Sequence, residues 1–242
     1  MYISSVNNEF IKETAKLKEK KYRDITNTFL VEGEHLVNEA LKNNLVKKII
    51  VCEDYQYETD IEKIIVTKEV MKKLSDNPSI PRIMAIVKKD EKNYIGNKVI
   101  ILDRIQDPGN LGTIIRSAIA FNFDTIILSD DTVDIYNPKV IRSTQGMLFN
   151  INILRDNLVS KINKLKEDNY LILATRVTDG TDVSKYKTNN KFALIIGNEG
   201  AGVSEEVLNM CDDYLYINMN KSCESLNAGV AASILMYELG GK

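Results

Sequence analysis

Five polar residues stand in or just after short loops that follow apolar runs: Asn110 and Arg116 after KVIIL, Glu199 after FALII, and Ser225 and Asn227 after YLYI. Two amides, a guanidinium, a carboxylate and a hydroxyl can orient a polar ligand and stabilise developing charge, with no metal and no covalent nucleophile. Asn110 and Gly112 fall where the helix after Asp107-Pro108-Gly109 begins, so free backbone amides there suit an anion or another polar ligand. Arg116 follows in an otherwise apolar stretch, either at the helix rim paired with a carboxylate or as a working residue of a site. The loop Gly197-Asn198-Glu199-Gly200-Ala201-Gly202 has the spacing G-x-x-G-x-G, the reverse of the dinucleotide fingerprint, and lacks the Lys-Ser/Thr of a phosphate loop. Glu199 inside that turn would repel a pyrophosphate, and favours a ligand carrying positive charge or hydroxyl donors. Ser225 and Asn227 precede an Ala-rich helix, where they serve either as caps or as ligand groups.

These loops need strands to hold them. KVIIL (Lys98 to Leu102), Thr125 to Leu128, Tyr170 to Ala174, Phe192 to Ile196 and Tyr214 to Ile217 are near-continuous apolar runs, mostly separated by helical patterns. That arrangement predicts an α/β domain built on a parallel sheet covered on both faces. Upstream, a helix is expected over Asn8 to Lys21, a strand over Thr28 to Gly33, a helix over Glu34 to Lys42, a strand over Val46 to Val51, a helix over Thr67 to Leu74 and a strand over Ile83 to Val87. The chain is therefore divided into a smaller α/β domain at 1–90, a polar linker at 91–98 and a larger domain at 99–242, which carries the chemistry.

Composition narrows the function classes. No run reaches the roughly 18 apolar residues needed to span a bilayer, and the amino terminus has no signal-peptide pattern. A soluble, cytoplasmic protein without a membrane partner is expected. Cys52, Cys211 and Cys223 are few, scattered and odd in number, which predicts reduced thiols; Cys223 has no histidine neighbour to make it a nucleophile. His35 is the only histidine of the chain and is expected to be structural or on the surface. A formal net charge of −2 places any nucleic-acid affinity in local patches, of which Lys12, Lys16, Lys18, Lys20, Lys21 and Arg23 form the sharpest. That patch reads either as a solvated helix face or as a phosphate contact.

Taken together, the three loops resemble the three motifs of the SpoU, or TrmH-like, RNA 2′-O-ribose methyltransferases. Asn110-Leu111-Gly112 with Arg116 is similar to the first, Ile196-Gly197-Asn198-Glu199-Gly200 with Gly202 to the second, and Ile217 to Asn227 with the following Ala-rich helix to the third. The resemblance runs from Val99 to Glu238, and residues 1–90, with FLVEGEHLVNEAL, resemble the family's ribosomal-protein-like amino-terminal substrate-binding domain.

The resemblance implies a SPOUT-type parallel sheet whose carboxyl end is tied in a trefoil knot, a homodimer, and S-adenosylmethionine as cofactor. It implies RNA as substrate, ribosomal RNA in particular because of the amino-terminal module. Thr175, Gly197, Asn198, Gly202, Ile217, Met219 and Leu226 are the cofactor-binding positions it assigns. Arg116 is assigned to activation of the ribose hydroxyl, with Asn110, Glu199, Ser225 and Asn227 orienting substrate and arginine. Because guanidinium groups hold their proton to very high pH, phosphate binding and stabilisation of a forming alkoxide stand beside proton abstraction as roles for an arginine here. Asn218 and Lys221 replace the proline and glycine common in the third motif, which bears on substrate specificity. The competing functional class is a catalytically silent RNA-binding protein of the same fold. A dinucleotide-dependent dehydrogenase is excluded by the missing G-x-G-x-x-G.

Overall fold

The computed structural model describes the chain except residues 91, 93, 178, 189, 190, 241 and 242. It forms two compact units, residues 1–90 with 136–149, and residues 91–135 with 150–242.

In the first unit β1 (Tyr2–Ile3), α1 (Glu9–Lys16), α2 (Lys20–Thr26), β2 (Thr28–Glu32), α3 (Glu34–Lys42), β3 (Val46–Cys52), β4 (Lys63–Val66), α4 (Lys68–Leu74) and β5 (Ile83–Lys88) follow one another. The sheet order is β1-β4-β3-β5-β2, with β5 antiparallel to both β3 and β2 and the other pairs parallel. The helix predicted over 8–21 is broken. Arg23, only 4 % exposed, turns inward and donates from Nη1 to the carbonyls of Leu17 and Lys18 at 2.9 and 2.6 Å, pairing backbone acceptors that the break releases. The basic patch is thereby reduced, since Lys16 also pairs with Glu13 and Lys18 with Asp76. Lys12, Lys20 and Lys21 remain exposed.

The second unit opens with β6 (Lys98–Leu102), α5 (Pro108–Ala120) and β7 (Thr125–Leu128). The chain then returns to the first unit for α6 (Pro138–Thr144), which corrects the expectation that everything after residue 99 belongs to one domain. Aromatic packing explains the excursion. The Phe29 ring lies 4.6 Å from that of Tyr136 and 6.3 Å from that of Phe149, and Lys89 Nζ lies 4.9 Å from the Tyr136 ring.

The remaining elements are β8 (Asn152–Arg155), α7 (Leu158–Glu167), β9 (Leu171–Thr175), β10 (Thr181–Asp182), β11 (Phe192–Ile196), α8 (Glu205–Leu208), β12 (Asp213–Tyr216) and α9 (Ala228–Leu239). They complete a sheet of order β10-β12-β9-β11-β6-β7-β8 in which every pair is parallel, as expected. Its central strands are apolar throughout because both faces are covered: Val99 to Leu102 and Phe192 to Ile196 are all buried. The order reverses around β6, which has β7 on one side and the much later β11 on the other; ligands bind α/β sheets at such a point, outside the strands' carboxyl ends. Among the described residues no helix is long and apolar enough to cross a membrane.

The inward-facing Arg23 makes a measurable claim. Arg23→Met should lower the urea midpoint by the equivalent of about 1–3 kcal/mol, the usual effect of leaving buried acceptors unpaired. The salt dependence of RNA binding by the folded variant should stay as in the wild type; a shallower slope would return Arg23 to the phosphate-contacting patch.

Candidate functional site

Strand register brings the loops together. Ile196 pairs with Leu102, Ile195 with Ala174 and Leu215 with Thr175, so β6, β9, β11 and β12 end at one edge. Three of the loops leaving that edge enclose a cavity of about 360 Å³, a size suited to a small-molecule cofactor. The seven cofactor-binding positions implied by the resemblance, Thr175, Gly197, Asn198, Gly202, Ile217, Met219 and Leu226, all line it. Ile196, Val203, Leu208 and Leu215 supply apolar wall, and Ala228, Ala231 and Leu235 of α9 close one side.

The glycine loop has a backbone reason for its composition. Asn198 and Gly202 exchange two backbone hydrogen bonds of 3.0 and 2.9 Å, while Asn198 Oδ1 accepts from the amides of Gly200 and Ala201 at 3.0 Å each. Gly202 sits at φ +68, and a Cβ on Gly197 would lie 2.1 Å from the Gly202 carbonyl carbon. Both positions therefore require glycine, one for its conformation and one for close approach.

Glu199 lines the cavity, but its carboxylate is engaged elsewhere. It accepts from the Asp107 amide at 3.0 Å, the Gln106 amide at 3.2 Å and Asn110 Nδ2 at 3.0 Å. Burial pushes this carboxyl upward, yet the hydrogen bonds from Asn110 and the Asp107 and Gln106 amides outweigh it and hold Glu199 below the usual glutamate range. Asp107 in turn caps α5, accepting from the Asn110 amide at 2.8 Å. The amino end of α5, expected to offer free amides to a ligand anion, thus has carboxylates of the chain itself bound at its first turn. Buried Asp103 adds a second tie across the two loops, accepting from the Ser204 amide at 2.6 Å.

The other expected residues divide. Ser225 lines the cavity. Asn227 caps α9, its Oδ1 accepting from the Val230 amide at 3.2 Å, so the capping alternative holds for it. Arg116 does not line the cavity. It is exposed on α5 beside a separate groove with Thr113, Ser117, Ala120 and Phe121, and among the described residues its side chain has no carboxylate partner. Helix α9 packs alongside α5, where Ser117 and Ser233 share a hydrogen bond of 2.7 Å and Gly229 lies so close that a Cβ would meet Thr113 at 3.2 Å. Asn218 and Lys221 are both exposed. Arg176, which no motif singled out, does line the cavity, as does Tyr216. Its position just after a predicted strand end was the available signal.

A SPOUT-type α/β sheet with a cavity at these strand ends defines the class, and comparison with known proteins agrees: the SpoU rRNA Methylase family matches residues 97–237, and the chain belongs to that family. The MRM3-like substrate binding domain matches residues 8–85. Over 99 % of both chains the protein is 40 % identical to the 23S rRNA (guanosine(2553)-2'-O)-methyltransferase RlmP of Bacillus subtilis. The AdoMet-bound rRNA methyltransferase from Sinorhizobium meliloti superposes with a TM-score of 0.89 at 27 % identity, covering 98 % of this chain and 96 % of that one. The SpoU methyltransferase AviRb from Streptomyces viridochromogenes, at 24 % identity and a TM-score of 0.85, shares the fold.

Glu199 generates a pH prediction. A carboxyl whose folded pKa is depressed stabilises the fold fully above its ordinary value of 4.5 and loses that contribution as pH falls through the folded value. Wild-type stability should therefore decline below that pH more steeply than that of Glu199→Gln, with thermal melts from pH 6 to about pH 3 as the readout. Parallel melting curves for the two proteins would mean that the carboxylate does not hold the loops.

Proposed function

We propose that this protein transfers a methyl group from S-adenosylmethionine to a ribose 2′-hydroxyl of ribosomal RNA. The observation that carries the proposal is the meeting of the Thr175, Gly197–Gly202 and Ile217–Leu226 segments around one cavity. Its apolar wall suits an adenine ring, and loop backbone stands ready for hydroxyl and amine groups. When bound, the cofactor supplies an electrophilic methyl group on a sulfonium. The chain must align the hydroxyl within near-attack distance, receive its proton and keep water out.

The residues present fit those tasks in distinct ways. Gly197 and Gly202 allow the tight turn that shapes the glycine loop at the cavity; Glu199 and Asn110 lock the β6 and β11 loops into one shape; Ser225 faces the cavity from the third loop. Arg116 is proposed to act on the RNA, holding a phosphate and stabilising the negative charge that develops on the ribose oxygen. Because it projects from α5 outside the cavity, it reaches a reacting hydroxyl only if RNA, or a second subunit, spans the distance. The homodimer belongs to the same proposal, with exposed Val230 and Tyr237 on α9 as apolar contacts and a light-scattering mass of twice one chain as its check. The carboxyl-terminal knot and cytoplasmic residence complete it, together with the first unit as an rRNA-binding module.

Incubation of the protein with tritiated S-adenosylmethionine and rRNA should yield label in 2′-O-methylated nucleosides after complete digestion. Label on bases would overturn the reaction. Arg116→Ala should lower turnover at least about a hundredfold with cofactor affinity within twofold of wild type; equal losses in both would make the arginine structural. Absence of cofactor binding in calorimetry would instead favour the catalytically silent RNA-binding protein.

A further inference from the structure

Among the described residues lining the cavity, Arg176 is the cation. It stands at the end of β9, where its backbone amide donates to the Leu215 carbonyl at 2.9 Å. The guanidinium lies 4.0 Å from the centroid of the Tyr214 ring, and the Tyr214 hydroxyl is itself fixed by donating to the Leu208 carbonyl at 3.0 Å. Stacking on an aromatic face immobilises the guanidinium plane while leaving its N–H edge available. Among the described residues that edge has no hydrogen-bond or ion-pair partner. Glu199, the acidic residue of the lining, is held by the Gln106 and Asp107 amides and by Asn110. The cavity thus presents one oriented and unneutralised positive charge.

We infer that Arg176 recognises the carboxylate of the cofactor's methionine moiety, and so selects ligands that carry it. The inference rests on the S-adenosylmethionine reading above. That molecule bears two positive groups, the sulfonium and the ammonium, and one anion, the carboxylate. Facing either cation toward Arg176 would be repulsive, while the apolar wall of Ile196, Val203 and Leu215 takes the adenine. A carboxylate meets a guanidinium edge through parallel hydrogen bonds, a geometry the Tyr214 platform prepares in advance. An RNA phosphate shares the chemistry of an anionic oxygen pair, and the test separates the two.

Isothermal titration of the full-length protein with S-adenosylmethionine and with its decarboxylated analogue, without RNA, measures the contact directly. Wild type should bind the analogue about tenfold more weakly, and Arg176→Met should lose about tenfold for S-adenosylmethionine, the order expected of a charge-assisted contact at a partly exposed rim. Arg176→Met should then bind both ligands alike, Arg176→Lys should recover part of the loss, and the wild-type preference should shrink with added salt. Equal affinity of wild type for the two ligands, or undiminished S-adenosylmethionine binding by Arg176→Met, overturns the assignment. Loss of RNA affinity alone in that variant does so as well, and points to phosphate. No binding of S-adenosylmethionine by the wild type brings down the cofactor reading itself. Should Arg176→Met fail to fold, the comparison of the two ligands on wild type still decides.

Discussion

Strand β11 lies between β9 and β6, and the site depends on that placement. A strand late in the chain has entered between two strands that precede it, pairing in register with Leu171 to Ala174 on one side and Lys98 to Leu102 on the other. All backbone groups of a central strand must find partners, so its register is tightly specified. Since every strand in the sheet is parallel, the loops after β6, β9, β11 and β12 leave in the same direction. The ligand cavity is the space among the last three.

On that frame, charge is arranged economically. Glu199 binds the Gln106 and Asp107 amides just ahead of α5 and the Asn110 side chain in its first turn, which links the glycine loop to the loop after β6. The depressed pKa of Glu199 is the electrostatic trace of that link. Asp103 repeats the connection through the Ser204 amide. With the two acids engaged in holding loops, Arg176 becomes the charge of the cavity and Arg116 the charge of the outer helix face. The two guanidinium groups thereby lie at different places, one at the cavity and one in the groove beside α5.

Local signals made much of this legible. Apolar runs named β6, β7, β9, β11 and β12 within about one residue, because strands buried on both faces show themselves by continuity rather than alternation. The split of the first helix was not legible, since it depends on Arg23 folding back onto the carbonyls of Leu17 and Lys18. Nor was the return of residues 136–149 to the first unit, which follows from the packing of Phe29 with Tyr136 and Phe149 across more than a hundred positions of sequence. Short edge strands such as β10 carry too few residues to leave a pattern.

The sequence by itself determined which residues had to be glycine and where loops met helices. Gly197 and Gly202 are dictated by backbone sterics, and Asn227 by the capping of its own helix, all interactions spanning only a few residues. It also determined the family, because three such loops in order carry more information than any one alone. Only the tertiary structure decided what each charged group faces. Glu199 meets Asn110 across 89 positions, Arg176 rests on a tyrosine of a neighbouring strand, and Arg116 turns away from the cavity. Those partners are set by which strands become neighbours, and strand adjacency is a property of the whole sheet rather than of any segment of the chain.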